Sequence, residues 1–409
     1  MSPDTQTLKF QQTVKASPKV LYRAFTNPTD LTNWLANMAT VSPEVGGRIY
    51  LWWNTGYYTS GEYTQIEPKD KVAFTWRGRG EPAASEVEIN LSAKDGVTLV
   101  EIEHRGIGSS AEWDSIREET ERGWQTGLEN LASVFETGED LRFTRRPMLG
   151  IIVEDFPEEL AKELDMPVTK GIRIGDPIEG MGAKAAGLQN NDVIVGLAGK
   201  PVTDYSSLTN ALQNCRAGDT IPVDFYRGAE KKRVEMKLSG RPIPEIPKSA
   251  EELARVVETK QDQMSSTLAG FFAELTEEEA SHKPKPDVWS AKENLAHLIH
   301  GERGTQNQIA DEIGGFTPHY DDYGGNIHER VQATLAVYPT SQDLLAEFRR
   351  SCAETVAFLA RLPVEFLDEH KGAYWSVAYN QLESDFHFDG HLEQMRAAVQ
   401  DAREKKSVP

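Results

Sequence analysis

His387-Phe388-Asp389-Gly390-His391 lies inside a long helical pattern near the end of the chain, its two histidines four residues apart. On an α-helix that spacing stacks two side chains one turn apart on a single face. Both ring nitrogens then reach toward one point, and a metal ion at about 2.0–2.1 Å is the ordinary occupant of such a pair. Two ligands do not complete a site. The nearest pattern able to supply a third is Ala296-His297-Leu298-Ile299-His300. Eight of the nine histidines follow residue 281, so the clustering marks this region for chemistry without naming the metal or the reaction.

Around these histidines the chain reads helical over Ala250 to Leu275, Ser290 to about Gly314, Ser341 to Leu362 and Val377 to Glu404. Four long helices joined by loops predict an all-α four-helix bundle. Ser290-Ala291-Lys292-Glu293 is a capping box, in which Ser and Glu satisfy each other's backbone donors and fix the facing of His297. Gly390 inside the last helix costs about 1 kcal/mol relative to Ala. Either a close approach by a neighbour or ligand requires it, or the weakness is simply tolerated. His282, His319, His328 and His370 are expected in loops, and Cys352 among helical apolar residues reads as a core thiol. Arg241 to Pro247, with alternate prolines, reads as a stiff extended linker.

Trp289-Ser290, Glu293 to Leu298 and His387 to Leu392 together make residues 248–405 resemble the DinB-like superfamily. Carried over position by position, the resemblance implies His297, His387 and His391 as metal ligands, and all three are present. Three protein ligands leave positions open for water or substrate, as catalytic sites do. The family includes metal-dependent transferases that use low-molecular-weight thiols, so a thiol transferase or a hydrolase is the enzymatic reading. His300, three residues from His297, remains an alternative or additional ligand. Zn, Ni, Fe and Cu all suit three imidazoles, so the divalent transition metal stays unidentified.

Upstream, Pro147-Met148-Leu149-Gly150-Ile151 places a glycine in a short apolar loop, where successive backbone N–H groups can converge into an anion nest. Ala186-Gly187-Leu188, Asn191-Asp192-Val193-Ile194 and Gly199-Lys200-Pro201-Val202 follow in order. Leu208, Ala211, Leu212 and Cys215 make a helical stripe, so Cys215 reads as apolar rather than nucleophilic. This series resembles a PDZ domain of the bacterial HtrA-like type over residues 145–241, with a β-barrel-like fold. By resemblance, the amides of Leu149, Gly150 and Ile151 hold a peptide's terminal carboxylate, and the peptide adds as a strand to the sheet edge. No Ser nucleophile in a G-x-S-x-G setting accompanies it.

The first third alternates. Val72, Phe74 and Trp76, then Val87, Ile89 and Leu91, then Val100, Ile102 and His104 each share a strand face, and Asp95-Gly96 predicts a hairpin turn. From Trp113 the period changes to three and four through Ile116, Thr120, Trp124, Leu128, Leu131 and Phe135, predicting a terminal helix across one face of the sheet. Leu8-Lys9-Phe10, Ser17-Pro18, Trp34 within Leu31 to Leu35, Gly46-Gly47 and Gly61-Glu62-Tyr63 make residues 1–140 resemble the START-like (SRPBCC) superfamily, in the branch named for a chaperone-ATPase activator. That implies a helix-grip fold and an apolar cavity for a hydrophobic small molecule. His104 is either a polar handle in that cavity or, as burial favours, a satisfied core histidine.

The whole chain sets the frame. A chain of 409 residues is long enough for two to four domains. No apolar run approaches the ~20 residues a membrane crossing needs, and the start lacks the pattern of a signal peptide. A formal charge of −20 argues against nucleic acid. Two cysteines far apart, Cys215 and Cys352, give no disulfide framework and fit a reducing cytoplasm. The expectation is a multi-domain α+β cytoplasmic binding protein. It has a peptide groove, an apolar cavity and a three-histidine metal centre, with the metal-dependent enzyme as first alternative and a chaperone cofactor or stress adaptor as second.

Overall fold

Alternation along the first third builds one antiparallel sheet in the computed structural model, which describes residues 5–213, 215–316, 328–383 and 386–407, the side chains of 386 and 407 aside. Its strands are β1 (Thr5–Val14), β2 (Met38–Val41), β3 (Arg48–Trp52), β4 (Tyr58–Glu67), β5 (Lys71–Gly78), β6 (Ser85–Lys94) and β7 (Val97–Gly108), ordered β1-β7-β6-β5-β4-β3-β2. β6 and β7 meet with Lys94 opposite Val97, so Asp95 and Gly96 are the whole turn. Both have positive φ, 52° and 81°, as the primed two-residue hairpin demands.

Two short helices, α1 (Pro18–Thr26) and α2 (Pro28–Trp34), and one long one, α3 (Asp114–Thr137), cover the sheet. Ser17 caps α1 by accepting the Val20 N–H, and Asn27 caps α2 by accepting that of Asp30. The predicted inward faces are buried, and Trp124, Leu128, Leu131, Val134 and Phe135 of α3 close over them. Ile116 and Thr120, read as part of that stripe, are only half-buried. Two aromatic polar heads inside this core are bonded: Trp34 Nε1–H donates to the Ala24 carbonyl and the Tyr63 hydroxyl to that of Phe25, each at 2.9 Å.

The second region has α4 (Leu141–Thr144), β8 (Ile151–Glu154), α5 (Glu158–Glu163), β9 (Ile172–Pro177), α6 (Gly182–Ala185), β10 (Val193–Leu197), β11 (Lys200–Pro201), α7 (Tyr205–Leu212), β12 (Thr220–Arg227) and β13 (Glu230–Lys237). The strands run β13-β12-β10-β9-β8, with β11 paired to β10, so β8 is a sheet edge. Cys215 falls beyond α7, half-buried against the core rather than on the helix stripe.

The last region is helical: α8 (Ala250–Ala273), α9 (Glu277–Ser281), α10 (Ala291–Gly314), α11 (His328–Val337), α12 (Ser341–Leu359), α13 (Val364–Glu369), α14 (Lys371–Leu382) and α15 (Phe386–Ser407). The long helices α8, α10, α12 and α15 form the bundle, with Leu268, Leu295, Phe348 and Met395 in its core. The predicted capping box closes as read, with Ser290 and Glu293 bonded reciprocally at the start of α10. One difference matters. The helix expected from Val377 to Glu404 is two, because α14 stops at Glu383, whose ψ is 153°. The Lys260 ammonium donates to the carbonyls of Gln381 and Glu383 at 3.1 and 2.7 Å, supplying partners that the end of α14 lacks. His328 opens α11 instead of lying in a loop, and His319 lies outside the described residues.

Residues Met1–Glu139 and Pro244–Pro409 make one compact unit and Asp140–Ile243 a second. Within the first unit, α14 packs on α3. A Cβ at Gly372 would sit 2.8 Å from Val134 Cγ1, so only a glycine lets the two helices come this close. Lys19 pairs with Glu369 at 2.9 Å, and the Lys371 ammonium donates to the Glu136 carbonyl at 3.2 Å. Among the described residues no helix is long and apolar enough to cross a membrane.

Candidate metal centre

α10 and α15 each contribute to the histidine cluster. His297 is half-buried, two turns into α10; His387 is exposed and His391 half-buried in the first turns of α15. The ligand atoms of all three lie within 4.8 Å of one another. His297 Nε2 is 3.4 Å from His387 Nε2, which is 3.1 Å from His391 Nε2. Nitrogens bound at about 2.0–2.1 Å to one tetrahedral ion lie roughly 3.3 Å apart, so both separations from His387 fit a single metal.

The remaining ring nitrogen of His391 explains why its Nε2 faces inward. Asn294 Oδ1 lies 2.8 Å from His391 Nδ1 and Gln394 Oε1 3.2 Å. Amide oxygens only accept, so Nδ1 carries the proton and Nε2 keeps its lone pair for the centre. Asn294 is fully buried, its own amide donating to the Ser290 carbonyl at 3.0 Å. The capping box that starts α10 therefore also holds the residue that orients His391. Trp289 lies over two of the rings, 5.0 Å from His297 and 6.2 Å from His391 between centroids, the latter nearly parallel at 19°.

Electrostatics act in the same direction. Burial, and then the neighbouring His391 and His387, bring the His297 pKa down to about 4. Burial and His387 also lower that of His391. Neutral imidazoles with free lone pairs are the form a metal needs.

His300 does not join them. Its Nε2 lies 2.9 Å from Thr334 Oγ1 and 3.2 Å from the Arg330 carbonyl, turning the ring toward α11. His282 pairs with Asp401 at 2.6 Å, and His370 Nδ1 lies 3.8 Å from Asp30, so both serve contacts between elements. Cys352 is 4 % exposed and burial raises its thiol pKa, as a core thiol requires. His104 is enclosed: the Trp124 indole donates to Nδ1 at 3.1 Å and Ser85 Oγ sits 2.7 Å from Nε2. Sequence reading quoted Trp289 and Asn294 only as carriers of the resemblance, without a role at the site, and missed Gln394. Asn294 stands one turn before His297 on the same face, which was the available signal.

In the second unit, Leu149 and Gly150 give their carbonyls to the N–H groups of Ala183 and Ile178, at 2.9 and 2.8 Å. Their own N–H groups have no partner among the described residues. Gly150 has φ +77°, and a Cβ there would lie 2.2 Å from Met181 Cβ, so no other residue builds this loop unstrained. Ile151 opens edge strand β8, and Ile152 and Val153 on that strand are exposed.

Comparison with known proteins divides the chain in the same order. Residues 15–136 match the model for Activator of Hsp90 ATPase homolog 1-like protein, 147–238 that for the PDZ domain, and 260–395 that for the DinB superfamily. A probable periplasmic serine endoprotease DegP-like of Bartonella henselae is 27 % identical over 101 residues, 25 % of this chain and 20 % of that protein. The human activator of 90 kDa heat shock protein ATPase homolog 1 is 29 % identical over 120 residues, 29 % of this chain and 33 % of that protein. A solved HSP90 activator from Plasmodium falciparum is 28 % identical with a TM-score of 0.28, covering 31 % of this chain and 94 % of its own. The chain spans between 19 % and 27 % of the length of the DegP-like relatives. It thus joins three segments that match three different family models, an Hsp90-ATPase-activator-like segment, a PDZ domain and a DinB segment, in that order.

Proposed function

We propose that this chain is a multi-domain binding protein in which His297, His387 and His391 hold one divalent transition metal, while the loop at Leu149, Gly150 and Ile151 takes a peptide C-terminus. The observation that carries it is the convergence of three imidazoles within 4.8 Å, with His297 and His391 Nε2 each at about the distance from His387 Nε2 that a single ion imposes. Asn294, Gln394 and Trp289 would hold the ligand rings in place. A metal there would act as a Lewis acid, lowering the pKa of a bound water or thiol. The unpartnered N–H groups beside edge strand β8 support the peptide groove. The match of residues 15–136 supports a protein partner or an apolar ligand at the first segment, and the two thiols that form no disulfide support a cytoplasmic setting.

Elemental analysis of the chain as purified and after reloading tests the metal. One equivalent in the wild type and a stoichiometric loss in His391→Ala are expected; equal content in both would reject the assignment. For the groove, fluorescence polarisation with free and C-terminally amidated peptides should show binding only to the free acids.

A second reading, a metal-dependent thiol transferase or hydrolase, is favoured by one feature: His387 also faces a cavity of about 330 Å³ inside the bundle. Thiol conjugation that requires added metal would support it, and its absence across Zn, Ni and Fe would leave the binding protein.

A further inference from the structure

The cavity beside His387 has walls of two kinds. Met264, Leu298, Phe348 and Phe388 give it an apolar side, and Gln261 and Glu302 a polar one. Gln261 is 5 % exposed, and its side-chain N–H donates to Glu302 Oε2 at 2.9 Å. Glu302 Oε2 also accepts the Thr355 hydroxyl at 2.8 Å. That leaves one buried acceptor unmatched. Gln261 Oε1 is buried with no hydrogen-bond partner, while Glu302 is only half-buried, its Oε2 taking both of those bonds. Lys260, the nearby cation, gives its ammonium to the carbonyls that end α14. A buried oxygen without a donor is costly, and native structures keep few of them unless something else supplies the donor.

We infer that this cavity binds a small molecule with an apolar body and a hydrogen-bond-donor head, a hydroxyl or an amine. The head lies against Gln261 Oε1 and Glu302 Oε1, and the body against the apolar wall. The size suits a compact metabolite of the kind small pockets enclose. Burial raises the Glu302 pKa, which favours the uncharged carboxyl beside the head. The ligand's other end would then point toward His387, so the inference rests on the metal reading only for what happens at that end. Gln261 and Glu302 are the specificity determinants, and His387 marks the reactive end.

Four probes of one shape decide it: benzyl alcohol, benzylamine, benzoate and toluene, titrated into the chelator-treated full chain. Chelation separates this test from the metal assignment, whose failure appears in elemental analysis alone. Calorimetry gives affinities, and the methyl resonance of ¹³C-labelled Met264 reports location. The alcohol and the amine are expected to bind about tenfold more tightly than toluene and benzoate, as one added buried hydrogen bond gives, and to shift Met264. Gln261→Leu should erase the preference, His391→Ala should keep it, and Leu298→Phe should abolish all four by filling the space. Equal affinities for the four heads, as an ordered water on Gln261 would give, overturn the inference. So does an unmoved Met264, or a preference that survives Gln261→Leu. If Gln261→Leu does not fold, the wild-type ranking and Leu298→Phe suffice to decide.

Discussion

Two histidine settings in this chain differ in how their ring nitrogens are satisfied. His104, 1 % exposed, has a partner on each side: the Trp124 indole donates to one nitrogen and Ser85 meets the other. Ser85 also lies 3.2 Å from the Trp76 carbonyl, which completes the chain of donors if His104 Nε2 carries the proton. At the junction of α10 and α15, three imidazoles turn Nε2 atoms toward one another, and His391 Nδ1 is anchored outward by Asn294 and Gln394. Burial lowers the pKa of His104 and of His297 alike, each to about 4, so the shift cannot separate a core histidine from a ligand. The partners can. A ring whose two nitrogens are both satisfied by protein is structural, while rings that turn Nε2 atoms toward one shared point have the arrangement that the proposed metal needs.

The largest effect should come from chelation. A metal that binds only the folded chain contributes about 4 kcal/mol when present at a thousand times its Kd. Thermal unfolding with and without chelator should show that difference in the wild type and none in His391→Ala. Equal curves in the wild type would place both histidine settings in the same class.

His104→Ala should cost roughly 3 kcal/mol, since it opens a cavity and strands the Trp124 donor, with metal content unchanged. Its pH behaviour sharpens the contrast. The unfolded imidazole titrates near its ordinary value of about 6.5, the folded one at about 4. Between those values the unfolded chain binds the proton more readily, so stability falls as pH drops through that window and is level above it. Urea unfolding from pH 7 to 4 should therefore show a shallower loss in a His104→Gln variant than in the wild type.

Asn294→Ala is the intermediate case. Losing the acceptor that orients His391 should weaken metal binding about 10–100-fold without removing a ligand, measured by competition with a chromophoric chelator. Undiminished affinity would mean that ring orientation is set elsewhere. The smallest effect is at Gly390. A Cβ there meets nothing within 4 Å, so close approach does not explain the glycine. Gly390→Ala should stabilise the helix by about 1 kcal/mol, read by chemical denaturation.

What the sequence displayed was mostly local. Strand alternation, Asp95-Gly96, the Ser290 to Glu293 box and the i, i+4 histidines each depend on neighbours within a few residues, and all four are found as read. Hidden features depended on partners far along the chain. Ser85 and Trp124 close around His104 from 19 and 20 residues away, and Asn294 reaches His391 across 97. His300 and His297 are equivalent by spacing, and only the position of α11 draws one aside. The interruption at Glu383 was equally invisible, because the periodicity continues while Lys260 of α8 serves the carbonyls at the end of α14.

X-ray absorption at the metal edge of the reloaded full chain tests the central claim most directly. Three imidazole nitrogens at about 2.0–2.1 Å, with one or two oxygen ligands, are the result this geometry predicts for zinc. A shell containing sulfur, or fewer than two imidazoles, would contradict it.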